Sequence, residues 1–185
     1  MLGRNHLVSS CSGWVIAQPY LLSSQPDLTQ QIMLGLSVAL GSLLPDIDHP
    51  DSLLGRRVKF ISVPLSFLQG DRSLLPWSED SHSRGITHSI WALIGCWFLM
   101  TSTLPAAIGL ILFGLAFGFV AHLIGDGMTP AGVRLFWPLD YKIRSPLTFK
   151  TGGFIEYLFT TLLATVAVMN LLGVDIMHQL EMLAR

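Results

Sequence analysis

Charge is scarce in this chain. Asp, Glu, Lys and Arg make up 12% of its 185 residues, about half the ~25% of an ordinary soluble protein. What charge there is nearly cancels, leaving a net −1 at pH 7 and a sequence pI near 6.6. Without a basic excess the chain lacks the footprint of a nucleic-acid binder, so DNA and RNA are not expected partners. Cysteine is nearly absent as well: Cys11 and Cys96 lie in apolar segments without CxxC spacing. Neither a disulfide framework nor a Cys-based zinc site is expected, and both residues read as inert core. HExxH, GxSxG and Walker-loop signatures are all missing. Val8-Ser9-Ser10-Cys11 has the look of a lipoprotein cleavage box. The ten residues before it cannot supply the apolar stretch such a signal needs, so no lipid anchor is expected.

Apolar residues take the place of the missing charge. The hydrophobic fraction is 51% and the mean hydropathy +0.56, a membrane protein's balance. A chain of this length has room for several membrane helices but not for a soluble enzyme domain beside them, so residues 1–185 are read as a single membrane-embedded domain. Five apolar segments stand out, at roughly 6–22, 31–45, 89–104, 105–125 and 154–173. Only the last two approach the ~20 residues that cross a ~30 Å hydrocarbon layer comfortably. The expected fold class is therefore all-α: a polytopic helical membrane protein with four or five membrane segments. A short uncharged joint at 101–105 makes segments 89–104 and 105–125 a helical hairpin. Residues 59–68 are apolar, too short to span, and follow a basic patch; they read either as an interfacial segment or as buried packing, with Trp77 and Trp137 as headgroup-level anchors.

Two polar loops, 46–87 and 126–153, hold nearly all the positive charge. With Arg4 they account for every one of the eleven basic residues except Arg185. By the positive-inside rule both loops and the N-terminus are expected on the cytoplasmic side of the membrane. That threading has a chemical consequence. It delivers His6, Asp46, Asp48, His49, His88, His122, Asp126 and Glu156 to one membrane face, although they are far apart in the chain. Ionisable groups at a membrane boundary are costly to place and usually have a function. The expectation is a metal site at that face.

His122 and Asp126 are four residues apart, so on a helix they share a face and can grip one ion. A packed, hydrogen-bonded histidine is the plain alternative. Pro45-Asp46-Ile47-Asp48-His49-Pro50 sets three potential ligands within four residues between two prolines, which stiffen the backbone. An Asp-built turn would need only one of them. Asp46 and His49 read as ligands, and Asp48 as a ligand, a base or a partner of a ligand. In Arg84-Gly85-Ile86-Thr87-His88-Ser89 the Thr caps the following helix, Gly85 allows close backbone approach and His88 falls in the first turn. Arg84 reads as a forked donor set for an anionic substrate, or as a positive-inside anchor. Mixed His and carboxylate ligands suit zinc or manganese, and their number allows more than one ion. Thr129 to Pro138 reads as a wall or lid of the site, or as scaffold.

These same motifs, with Thr129-Pro130-x-Gly132 and Trp137-Pro138, resemble those of the YdjM-type bacterial inner-membrane proteins, over nearly the whole chain from His6 to Glu156. The resemblance implies a membrane-bound, metal-dependent hydrolase, distantly similar to zinc-dependent phospholipases C, from a family some of whose members are under LexA control and so tied to the SOS response. It implies metal-site roles for His6, Asp46, Asp48, His49, His88, His122 and Asp126. Relatives commonly read His-Arg-Gly-x-Thr-His, whereas this chain has Ser83 before Arg84 and His82 one position earlier. Either His82 substitutes after a local shift or one ligand is missing.

The leading expectation is an enzyme that uses a cytoplasm-facing divalent metal site to hydrolyse a phosphoester or phosphodiester of a membrane lipid. Asp48 or Glu156 would take the proton and Arg84 would hold the anionic group. The rival is a metal-binding membrane protein without catalysis, such as a sensor, transporter or scaffold. Segment 105–121 carries no polar path across the membrane, which argues against a conduit. Oligomeric state is not legible in the sequence.

Overall fold

The computed structural model of the protein describes residues 1–68, 86–101, 105–139 and 141–174. Six α-helices run through them: α1 (Gly3–Leu21), α2 (Leu28–Gly41), α3 (Lys59–Leu68), α4 (Ile90–Thr101), α5 (Ala106–Gly127) and α6 (Phe154–Leu171). Short 3-10 turns at Pro45–Asp48, Gly55–Arg57 and Ile86–His88 punctuate the loops. Among the described residues extended pairing is limited to one isolated antiparallel bridge, Val133 with Ile143. The all-α expectation holds, and each of the five apolar segments contains a helix. The joint between α4 and α5 and the anchor Trp77 lie outside the described residues, as do His82, Ser83 and Arg84.

Among the described residues two helices are long and apolar enough to cross a bilayer, over Ala107–Gly127 and Phe154–Leu171. At 1.5 Å per residue α5 is about 33 Å long, matching the ~30 Å hydrocarbon core. Large apolar side chains stand exposed along these helices and α4, among them Trp91, Ile94, Phe98, Leu158, Leu162 and Leu171. Such a belt is unfavourable in water and at home in lipid.

Helix α2 begins at a reciprocal cap. The Asp27 side chain accepts from the Gln30 N–H at 2.8 Å, and the Gln30 side chain accepts from the Asp27 N–H at 3.0 Å. Its buried face, Leu34, Ser37, Val38 and Gly41, lies on α5. The approach is backbone to backbone. A Cβ on Gly118 would stand 2.1 Å from the Val38 carbonyl oxygen, and one on Gly114 2.9 Å from that of Leu34. Only glycine allows this contact, which in lipid supplies packing and weak C–H···O attraction where the hydrophobic effect offers little. Gly114, Gly118, His122 and Asp126 recur every fourth residue, so the stripe that seats α5 on α2 continues into the two polar side chains. Trp14 of α1 packs edge-on against Phe113 and Phe117 and closes the core over Leu34 and Val38.

Glu156 joins the start of α1 to the start of α6. Its Oε1 accepts from the Leu2 N–H at 2.8 Å and from Asn5 Nδ2 at 2.5 Å, and its Oε2 accepts from the Gly152 N–H at 2.9 Å. Arg4 adds a hydrogen bond to the Tyr157 hydroxyl at 2.6 Å.

Candidate metal centre

His6 enters from the first turns of α1, Asp46 from the turn after α2, His88 from the turn before α4, and His122 and Asp126 from the last turns of α5. All five side chains meet at one end of the bundle. His6, His88, His122 and Asp126 are each at most 2% exposed, while the Asp46 side chain is 26% exposed, so solvent reaches the group from the Asp46 side.

Four ligand-type atoms form a closed ring. His88 Nε2 lies 3.4 Å from Asp46 Oδ1 and 3.6 Å from Asp126 Oδ2; His122 Nε2 lies 3.6 Å and 3.5 Å from the same two oxygens. Zinc at 2.0–2.1 Å from tetrahedral N and O ligands sets neighbouring ligand atoms about 3.3–3.4 Å apart. The four sides, 3.4–3.6 Å, are close to that spacing, and the sets whose ligand atoms all lie near one another hold three residues each.

The hydrogen-bond pattern fits it too. His122 Nδ1 stands 2.6 Å from the Ser42 carbonyl oxygen, which can only accept, so Nδ1 carries the hydrogen. In the neutral ring Nε2 is then a bare lone pair. Both His122 Nε2 and His88 Nε2 are buried without a hydrogen-bond partner. Lone-pair nitrogen facing carboxylate oxygen is repulsive unless a cation, either a proton on the ring or a metal ion, lies between them. The donor set therefore suits a divalent metal ion.

His6 stacks on His122 with ring centroids 3.7 Å apart and planes 11° from parallel. Its Nε2 is 3.1 Å from Asp126 Oδ1, and the Met1 ammonium approaches the same oxygen at 3.1 Å. Asp126 thus turns one oxygen to the four-atom ring and the other to His6. His6, His122 and Asp126 also form a group with ligand spacing, as do Asp46, His88 and His122.

Other expected site residues fall elsewhere. Asp48 is buried and its Oδ2 accepts from the Thr87 hydroxyl at 2.5 Å, beside the ring rather than in it. His49 turns its Nδ1 to the Asp51 N–H at 3.3 Å and belongs to neither ligand group among the described residues. Glu156, expected to take a proton, is held by three donors in the α1–α6 joint. Two features had little or no signal in the sequence. The Ser42 carbonyl is a backbone group, and Thr87 read only as a cap. The segment after Asp126 wraps the C-terminal end of α5: Ser145 and Phe149 N–H groups donate to the carbonyls of Gly127 and Met128, and the Ile90 N–H donates to Leu135. Trp137, expected to meet headgroups, accepts on its carbonyl from Trp91 Nε1 at 2.7 Å.

A family model described as YdjM inner membrane protein matches residues 1–181. The inner membrane protein YdjM of Escherichia coli is 38% identical over 123 residues, 63% of this chain and 55% of that protein. The same figures hold for the protein of that name in Shigella flexneri. The chain thus aligns with about half the length of these relatives. A Bacillus subtilis protein, YvsG, named as uncharacterized, is 30% identical over 161 residues, 85% of this chain and 86% of its own length. No solved structure matches.

Proposed function

The chain belongs to the YdjM inner membrane protein family, and from that footing we propose that it holds a divalent metal ion, zinc or manganese, between Asp46, His88, His122 and Asp126 and hydrolyses a phosphoester or phosphodiester of a membrane lipid. The observation that carries the reading is the ring of two bare imidazole nitrogens and two carboxylate oxygens with sides of 3.4–3.6 Å. On this reading α5 and α6 span the membrane, α1, α2 and α4 complete a bundle of four or five membrane segments, and the site opens to the cytoplasm.

A bound divalent ion would supply Lewis acidity and an activated water. His88 and His122 would hold it by Nε2, and Asp126 would neutralise it from a buried position fixed by His6. Asp46 is the most exposed of the four, on the side where a substrate would enter, and Arg84, four residues before His88 in the sequence, is the forked cation that would hold its anionic group. The exposed apolar belt would keep a lipid substrate at the depth of the site.

The closed ring also favours a second reading. If all four residues bound one zinc ion its shell would be full, as in structural sites, whereas catalytic sites leave one position open. A metal-binding membrane protein without catalysis has that arrangement, unless Asp46 yields its place to water.

The test is elemental analysis of protein purified in detergent without chelator, for wild type, His122→Ala and Asp46→Ala. Stoichiometric zinc or manganese that disappears in both variants is expected; a well-folded, metal-free wild type would overturn the metal reading. Turnover of phosphorylated lipids in mixed micelles, abolished by chelator and restored by metal, separates hydrolase from non-catalytic binder.

A further inference from the structure

His88 has two faces, and the turn Pro45–Asp48 addresses both. Asp46, inside that turn, lies 3.4 Å from His88 Nε2. Asp48, at its end, reaches the opposite side of the ring through Thr87, whose Oγ1 is 2.5 Å from Asp48 Oδ2 and 3.2 Å from His88 Nδ1. A hydroxyl has one hydrogen, and an ionised carboxylate has none to offer. The Thr87 hydrogen therefore goes to Asp48. What Thr87 then turns to His88 is a lone pair, so Nδ1 must carry a hydrogen, and in the neutral ring Nε2 is then bare. The buried, unpartnered state of His88 Nε2 agrees with that outcome. Asp48 itself is 7% exposed, so the orienting group is held inside the protein and not on a mobile surface.

We propose that Asp48 and Thr87 are positioning residues that hold His88 in its Nδ1–H form and aim its Nε2 lone pair into the four-atom ring. The proposal rests on the metal-binding reading. His122 reaches the same form by a different route, the Ser42 carbonyl. The two imidazoles are thus prepared alike, one by backbone and one by a side-chain pair. Asp48 acts through Thr87 and not as a ligand or base.

Two measurements test this on the full chain in detergent. The first is nitrogen-15 NMR of the histidine rings in metal-free protein at alkaline pH, where the rings are neutral, with the His88 signals assigned by their loss in His88→Gln. Wild type and Thr87→Ser should show a protonated Nδ1 and a bare Nε2 at His88, and Thr87→Val, which keeps the shape but removes the hydroxyl, should lose that preference. The second is zinc affinity by competition with a chelating dye. Thr87→Val should bind about 10–100-fold more weakly, the usual loss when a partner of a metal-bound histidine is removed, and Thr87→Ser should stay close to wild type. Asp48→Asn should weaken binding like Thr87→Val, because an amide N–H donated to Thr87 would reverse the hydroxyl and put the ring hydrogen on Nε2. A wild-type His88 protonated at Nε2, or a Thr87→Val protein that binds zinc as wild type does, would overturn the proposal. A wild type that shows the expected His88 form yet binds no zinc would instead overturn the metal reading.

Discussion

Asp46 and Asp48 are two residues apart on one 3-10 turn and have been given different tasks by their surroundings. Burial would push the Asp46 carboxyl up, but in metal-free protein a hydrogen bond from His88 and the charge that protonated rings of His122, His88 and His6 bring hold it below the usual carboxylate range. A carboxyl whose folded pKa lies below its unfolded value stabilises the fold above the unfolded value, about 3.9, and loses that contribution as pH falls through the folded one. In metal-free protein, thermal midpoints of wild type and Asp46→Asn should therefore differ near neutral pH and converge in acid below about pH 3.9. Parallel curves across that range would show that the charge of Asp46 does not support the fold.

At the scale of helices, the site depends on how closely α2 and α5 can approach. Ser42 follows α2 directly and His122 lies one turn beyond Gly118 on the contact face. The 2.6 Å contact between the Ser42 carbonyl and His122 Nδ1 exists because glycine lets the backbones meet. Gly118→Ala would set a methyl group 2.1 Å from the Val38 carbonyl oxygen, forcing the helices apart at a cost of about 1–3 kcal/mol. A lowered thermal midpoint and weakened metal binding are expected together. Gly109→Ala, on the same helix with nothing within 4 Å of the added Cβ, should change neither. Equal behaviour of the two variants would show that the close approach is not needed.

For the whole molecule, the charge distribution makes a prediction about orientation. Reporter fusions after Lys150 should give a cytoplasmic signal, since ten of the eleven basic residues fall at Arg4 or in the two polar loops 46–87 and 126–153; a periplasmic signal would reverse the orientation. Composition and hydropathy were enough to determine an all-helical membrane protein, because in lipid every backbone polar group must be satisfied internally and helices do so within themselves. They also pointed to the ends of the apolar segments as the place for ionisable side chains, which are costly inside a membrane. Tertiary structure alone decided which of those residues face one another. His6, Asp46, His88, His122 and Asp126 come together, while His49 turns to its own backbone and Glu156 to the α1–α6 joint. Nothing in the neighbouring residues distinguishes Asp46 from Asp48, or Thr87 as a partner from Thr87 as a cap. Those roles follow from rotations about helix axes and from the sub-ångström fit of α2 on α5, quantities that only the packed chain defines.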